Sequence, residues 1–208
     1  LQTARTAAAQ ILEAASSDLE FAHGRFTVAG TDRAIDLFVK LGNPRRAAIL
    51  HRTFGAAYNV GGGVGQDTQQ ALNHYQAAVD LMEAEEDSLE KAIAYDGLGV
   101  WNLFSGFELD RAEELARKAL RIAEAIGDPD AMSQACPTLY LALMAKGLLS
   151  DGFSYQEGAW AYAQHSRMPV TKERVVAYPI HNSPWLADSD QYRKWFDRRE
   201  EVAQEVKT

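Results

Sequence analysis

The fold is decided by the stretch GNPRRAAILHRTFGAAY at residues 42–58, because two later stretches repeat its pattern. The first counterpart is EDSLEKAIAYDGLGVWN at residues 86–102, and the second is GDPDAMSQACPTLYLAL at residues 127–143. The offsets are about 44 and about 41 residues, within the range of repeat lengths that is typical of solenoids built from stacked helix pairs. The repetition therefore predicts an architecture more sharply than it predicts a chemistry.

Apolar residues that recur at three- and four-residue steps predict helices along most of the chain. The predicted helices cover residues 4–23, 33–41, 45–58, 68–85, 89–104, 110–126, 131–146 and 155–165. A short helix at 174–178, broken by Pro179, and a final charged helix at 188–206 follow. No stretch alternates with a period of two, so no sheet is expected. The chain is predicted to be all-α.

Composition excludes several classes of function. The formal charge of −8 over 208 residues argues against a nucleic-acid-binding surface, which needs clustered Lys and Arg. No apolar run approaches the roughly 20 residues that span a bilayer. The lone cysteine, Cys136, lies in an apolar segment and is expected to be a small buried hydrophobe in a reducing, cytoplasmic compartment. The first residue is Leu1 and not Met, so we expect a fragment of a longer chain.

The repeated part of the chain, residues 45–165, resembles the tetratricopeptide repeat family. In the second module the matching positions are Tyr95, Leu98, Gly99, Ala112, Leu115, Ala116 and Ala119. In the preceding module they are Phe54, Gly55, Tyr58, Ala71, Tyr75 and Ala78. The third copy keeps Leu139 and Ala142 but has Tyr140 where the small residue should stand. Gly at a helix crossing lets two backbones approach, and Ala on the partner helix leaves room for the aromatic ring.

The resemblance implies an all-α, right-handed α-α superhelix of three to four helix pairs, closed by a C-terminal capping helix. The whole chain, 1–208, is then one repeat domain. Its parts are a degenerate leading pair at 1–41, repeat modules at 45–85, 89–126 and 131–167, and a cap at 170–208. The modules exceed the usual repeat length and resemble the long variety common in bacterial signal-transducing regulators.

The first helices of stacked pairs line the concave side, which is the usual binding surface of such folds. The residues expected to line this concave groove are Arg52, Ala56, Asn59, Asp96, Val100, Leu103, Phe104, Pro137, Leu141 and Met144. The groove is largely apolar, with one cation and one anion. Only Arg52 and Asn59 resemble the residues with which family members clamp a peptide carboxylate, so clamping is not expected. The alternative is that these residues only pack against neighbouring or terminal helices.

Three functions are compatible with this architecture. The leading hypothesis is a non-catalytic module, without cofactor, that binds a peptide, a protein segment or a small effector and forms the sensing part of a bacterial regulator. The second is an enzyme or enzyme accessory, with His51, Arg52 and Asp96 as polar groups near the groove. The third is a self-associating structural module that forms, for example, a homodimer.

The glycine-rich loop and the histidines each have a functional and a purely structural interpretation. The loop GGGVG at 61–65 could cradle an anion, but it lacks the Gly-Lys-Ser/Thr ending of a phosphate loop and follows no strand, so a lengthened turn is the better interpretation. The five histidines show no metal-ligand spacing and are expected at the surface or at helix caps. No metal site is predicted.

Overall fold

The computed structural model describes residues 19–22, 25–28, 39, 41–60, 66–166, 169–182 and 190–205. The chain divides into two compact units, Leu1–Leu81 and Met82–Thr208. The predicted loop at 61–65 lies outside the described residues, as do residues 4–18 of the first predicted helix and most of the second.

A short antiparallel hairpin corrects the expectation that the chain holds no sheet. Strand β1 (Leu19–Ala22) pairs with strand β2 (Arg25–Val28), and Phe21 stands opposite Phe26. The predicted helix 4–23 is therefore wrong over Leu19–Ala22. Aromatic and β-branched residues favour strands, and a Gly between two such runs is typical of a hairpin. The other secondary-structure elements of the described chain are helices.

The described part of the first unit contains one close-packed pair of helices, α1 (Pro44–Val60) and α2 (Thr68–Met82). Only the last residue of α2 belongs to the second unit. Gly42, with φ of 67°, precedes α1, where Asn43 Oδ1 accepts a hydrogen bond from the N–H of Arg46. Where the helices cross, a Cβ on Gly55 would lie only 2.9 Å from Cγ of the buried Tyr75 ring. The predicted role of glycine at the helix crossing is confirmed here.

The second unit is built from six α-helices and one π-helical turn in its described residues. In chain order they are α3 (Leu89–Trp101), the π-turn (Asn102–Gly106), α4 (Leu109–Ile126), α5 (Pro129–Ala145), α6 (Leu149–Ala163), α7 (Pro169–Asn182) and α8 (Asp190–Glu205). Helix α6 begins six residues before the predicted start at 155. The final charged helix is confirmed.

Local sequence explains where these helices begin and end. Ser88 Oγ accepts from the N–H of Lys91 at the start of α3, and Asp128 Oδ1 accepts from the N–H of Ala131 at the start of α5. Gly127 ends α4 and Gly147 follows α5, both with positive φ. The helix boundaries therefore follow from capping residues that are readable in the sequence.

The packing order within the second unit is that of a solenoid. Consecutive helices from α3 to α8 contact one another, and α3 also contacts α5 while α5 also contacts α7. Gly99 brings α3 close to α4, since a Cβ there would lie 3.4 Å from the carbonyl oxygen of Ala112. The all-α helical solenoid expected from the repeats is thus confirmed.

Helix α7 corrects a second expectation. Residues 174–178 were predicted to form a short helix broken by Pro179, but α7 runs from Pro169 to Asn182 with Pro179 inside it. A proline removes the N–H that would bond to the carbonyl four residues earlier, here that of Val175. That carbonyl instead accepts a 2.7 Å hydrogen bond from Gln156 Nε2 of α6. Packing with a neighbouring helix therefore compensates for the proline.

Candidate binding site

An apolar pocket of about 370 Å³ opens in the second unit where α3 ends, α4 begins and α5 ends. This apolar pocket is lined by Leu103, Phe104, Phe107, Leu109, Leu141, Met144 and Ala145. Ligand pockets in proteins have volumes of roughly 300–1,000 Å³ and are mostly apolar. Its size and lining fit a binding site for apolar groups.

The π-turn places the first two of these residues. Asn102 Nδ2 donates a 2.8 Å hydrogen bond to the carbonyl of Leu98, which anchors the turn to the end of α3. The turn ends at Gly106, where a Cβ would lie 2.7 Å from Cζ3 of Trp101, so only glycine lets this ring pack closely. Single π-turns within helices are frequent at functional sites.

Phe107 stands in an unusual backbone conformation at the rim of the apolar pocket. Its φ is 54° and its ψ is 29°, which is the left-handed region, and no other non-glycine residue in the described part of the chain has a positive φ. The N–H of Glu108 bonds to the carbonyl of Asn102 at 2.9 Å and closes the helix end, as the N–H of Asp128 does with the carbonyl of Ala123 beside Gly127, but the loop at Phe107 is one residue longer. A phenylalanine therefore occupies a position that glycine usually fills, while its side chain is 78% exposed.

The floor of the apolar pocket is buried and its rim is exposed. Leu103, Leu141 and Met144 belong to a buried cluster with Ala112, Tyr140 and Ala142. Leu109, Phe153 and Tyr178 pack against this cluster and are partly buried. Phe104 is 45% exposed and, with Phe107, offers aromatic surface to solvent.

Charged side chains stand beside the apolar pocket. Lys146 Nζ, next to Ala145, donates to Asp110 Oδ1 at 2.5 Å and to Glu113 Oε2 at 2.7 Å. Hydrogen bonds from Lys146 and Arg117 lower the pKa of the Glu113 carboxyl below its usual value. The described residues provide no hydrogen bond or ion pair for the side chain of Glu108, and it does not cap α4. One carboxylate at the rim is thus left unneutralised.

Of the ten residues expected to line the concave groove, all but Ala56 and Pro137 are proposed as binding residues, and four of these eight line the apolar pocket. These are Leu103, Phe104, Leu141 and Met144. Of the other four, Arg52 and Asn59 are half-buried in α1 of the first unit, and Val100 is half-buried in α3. Asp96 is buried and accepts a 2.7 Å hydrogen bond from Thr138 Oγ1, which joins α3 to α5. That these eight residues bind a ligand stays a prediction.

Sequence reasoning missed part of the site. Phe107, Leu109 and Ala145 line the pocket but belong to a loop or to helix ends, where no repeat position marks them. It also missed a contact in the first unit, where Nδ1 of His51 and Nδ1 of His74 lie 2.9 Å apart and one ring donates to the other. Tyr58 stacks on His74 with an interplanar angle of 8°. Periodicity does not reveal such pairs, because their members lie on different helices.

Three further observations concern Cys136, metal ligands and membrane-spanning helices. Cys136 is buried, and burial raises the pKa of its thiol to about 12, with smaller contributions from Glu124 and Asp96. A thiol with so high a pKa is a poor nucleophile. Within the ranges that the structure describes, no three His, Cys, Asp or Glu side chains cluster as metal ligands. No helix in those same ranges has the length and apolar character to cross a membrane.

The fold and the apolar pocket define a helical repeat protein of the solenoid type. Residues 65–136, which run from the approach to α2 into α5, match the tetratricopeptide repeat family. The resemblance seen in the repeat positions is confirmed. A search of the curated proteins finds no match to the chain. Tetratricopeptide repeats generally mediate protein binding, so the chain is, in general terms, a protein-interaction module.

Proposed function

We propose that the second unit binds a peptide or protein segment whose apolar side chains enter the apolar pocket. The observation that carries this proposal is the conformation of Phe107. A left-handed backbone costs a non-glycine residue about 1–2 kcal/mol. Residues held in such conformations cluster at ligand-binding sites, where the strained backbone positions a side chain for the ligand. Here the strained residue holds an aromatic ring at the exposed rim of an apolar pocket.

The lining supports binding and not chemistry within the pocket. All seven lining residues are apolar, so none supplies a nucleophile or a proton. The buried floor needs no reordering when a ligand enters, because its side chains are already fixed in the core. Aromatic and Met side chains are enriched at the centres of protein interfaces. Enclosing Phe104 and Phe107 would remove apolar surface from water.

The experiment selects ligands from a random peptide library against the whole chain. Selected peptides are labelled, and their affinities for the native chain and two pocket variants are measured by fluorescence anisotropy. Phe107→Gly removes the rim, and Ala145→Gln fills the pocket from an exposed position on α5. Phe196→Ser is the matched control, since it removes an exposed phenylalanine on α8, outside the pocket.

We expect each pocket variant to weaken binding by about tenfold or more, as for a central interface residue, and Phe196→Ser to leave it unchanged. Far-UV circular dichroism checks that every variant is folded. Selection of no peptide, or peptides that bind Phe107→Gly and Ala145→Gln as tightly as the native chain, would overturn the proposal.

We also propose that this module is the sensing part of a larger cytoplasmic regulator of bacterial type. The support is the resemblance of its long modules to those of such regulators. The test is the reading frame around the chain: a DNA-binding or ATPase domain in the same frame is the expected result, and a frame that encodes only helical repeats would contradict it.

A further inference from the structure

The charges around the apolar pocket carry an inference about its partner. Glu108 stands between two lining residues, Phe107 and Leu109, and its exposed carboxylate has no cation among the described residues. Asp110 follows directly, and its side chain is 93% exposed although it pairs with Lys146. Lys146 is already held by two carboxylates, Asp110 and Glu113. The rim therefore has an excess of negative charge.

The volume of the pocket limits the apolar part of the partner. An apolar cavity of about 150 Å³ holds one benzene molecule. A pocket of about 370 Å³ thus has room for two side chains of that size. Two such side chains one helical turn apart, or on the same side of an extended segment, would enter together.

We infer that the partner is a protein segment with two neighbouring large apolar side chains and a Lys or Arg beside them. This inference rests on the function proposed above and adds the charge of the partner to it. The apolar side chains fill the pocket between Phe104, Phe107 and Met144. The adjacent cation reaches Glu108, which gives the rim the counter-charge that the chain does not supply.

The experiment determines which charged residues occur in the peptides that are selected on the whole chain. We expect the pocket-dependent peptides to share two large apolar residues and an excess of Lys or Arg beside them. The affinity of a cationic peptide should fall by about fivefold in Glu108→Lys, the range of an exposed ion pair, and should fall as salt is added. Glu201→Lys is the matched control, because it makes the same change of net charge on α8, outside the pocket, and should leave affinity unchanged.

The outcomes separate this inference from the proposed function. Peptides that depend on Phe107 but carry no excess of cations, or bind Glu108→Lys as tightly as the native chain, would overturn the cationic partner and leave the pocket as the binding site. An excess of Asp or Glu among them would also overturn it, and would point to an anionic segment. Peptides whose affinity is unchanged in Phe107→Gly and Ala145→Gln would overturn the proposed function itself.

Discussion

Gln156 Nε2 of α6 donates a 2.7 Å hydrogen bond to the carbonyl oxygen of Val175 in α7. In an uninterrupted helix this carbonyl would accept from the N–H of residue 179, but residue 179 is proline and has none. Both Gln156 and Val175 are fully buried, so water cannot replace the missing donor. One side chain thus allows a proline to stand within a packed helix.

The first prediction concerns this replacement. Gln156→Met keeps the size of the side chain but leaves the carbonyl of Val175 buried without a donor, which costs about 1–3 kcal/mol. The free energy of unfolding, measured by urea denaturation, should fall by that amount. In a Pro179→Ala background the backbone N–H of residue 179 returns, and Gln156→Met should then cost much less. Equal costs in the two backgrounds would show that the side-chain bond does not compensate for the proline.

The second prediction concerns Phe107. Phe107→Gly relieves a left-handed conformation, which costs about 1–2 kcal/mol in a non-glycine residue. The extra flexibility of glycine in the unfolded chain opposes this gain by about 0.5–1 kcal/mol. The variant should therefore raise the free energy of unfolding by about 0.5–1 kcal/mol while it weakens peptide binding. Gly127→Ala is the converse control: with φ of 68° at the same kind of helix end, it should destabilise the chain. A Phe107→Gly variant less stable than the native chain would mean that the exposed ring contributes to the fold.

The sequence predicted most helices because their apolar periodicity and their caps are local. It failed where the deciding contact comes from another part of the chain. A proline predicts a break at position 179, because its compensating donor, Gln156, lies on another helix. The strand at Leu19–Ala22 was taken for helix, since its pairing with Arg25–Val28 and not its own apolar spacing decides its conformation.

The sequence predicted only part of the candidate site, because only some of its residues occupy repeat positions. Repeat alignment identified Leu103 and Leu141, which occupy equivalent faces of first helices. It did not identify Phe107, because the repeat pattern says nothing about a residue between two helices. In the sequence, Gly106 is where a glycine would be expected to end the helix, but the π-turn adds one residue and gives the left-handed conformation to Phe107 instead. A bulky residue at such a position marks a candidate for function.

The third prediction tests the close packing of the first helix pair. Gly55→Ala would place a Cβ 2.9 Å from the ring of Tyr75, which is 97% buried. Overpacking of this kind costs about 1–3 kcal/mol. Amide hydrogen exchange in α1 and α2 should become faster.

The control for this prediction is Gly158→Ala in α6. The nearest atom to a Cβ there is Cε2 of Tyr162 at 3.8 Å, an ordinary contact, so the higher helix propensity of Ala should stabilise α6 by up to about 1 kcal/mol. Slower exchange in α6 of Gly158→Ala and faster exchange in α1 of Gly55→Ala are expected. Unchanged exchange in α1 and α2 of Gly55→Ala would show that the helix crossing does not require glycine.

The fourth prediction concerns acid stability and the ion pair that fastens α8. Arg198 of α8 donates two hydrogen bonds to Glu157 of α6, at 3.1 and 2.8 Å, and Lys194 lies 2.9 Å from the same carboxylate. Burial opposes ionisation of Glu157, but the hydrogen bonds from Arg198 and Lys194 outweigh it, so the pKa of Glu157 lies below its usual 4.5. A carboxyl whose pKa is lowered by folding stabilises the folded state above its unfolded pKa, and this contribution is lost as the pH falls through the folded pKa.

Glu157→Gln removes the charge while keeping the shape of the side chain. The variant should therefore be less stable than the native chain at about pH 7, and the difference should shrink as the pH falls below about 4.5, where the native carboxyl becomes protonated. Urea denaturation at a series of pH values measures both chains, and Glu201→Gln, at an exposed position on α8, serves as the control with little change expected at any pH. A difference between Glu157→Gln and the native chain that stays constant down to about pH 3 would show that the carboxylate contributes through its packing and not through its charge.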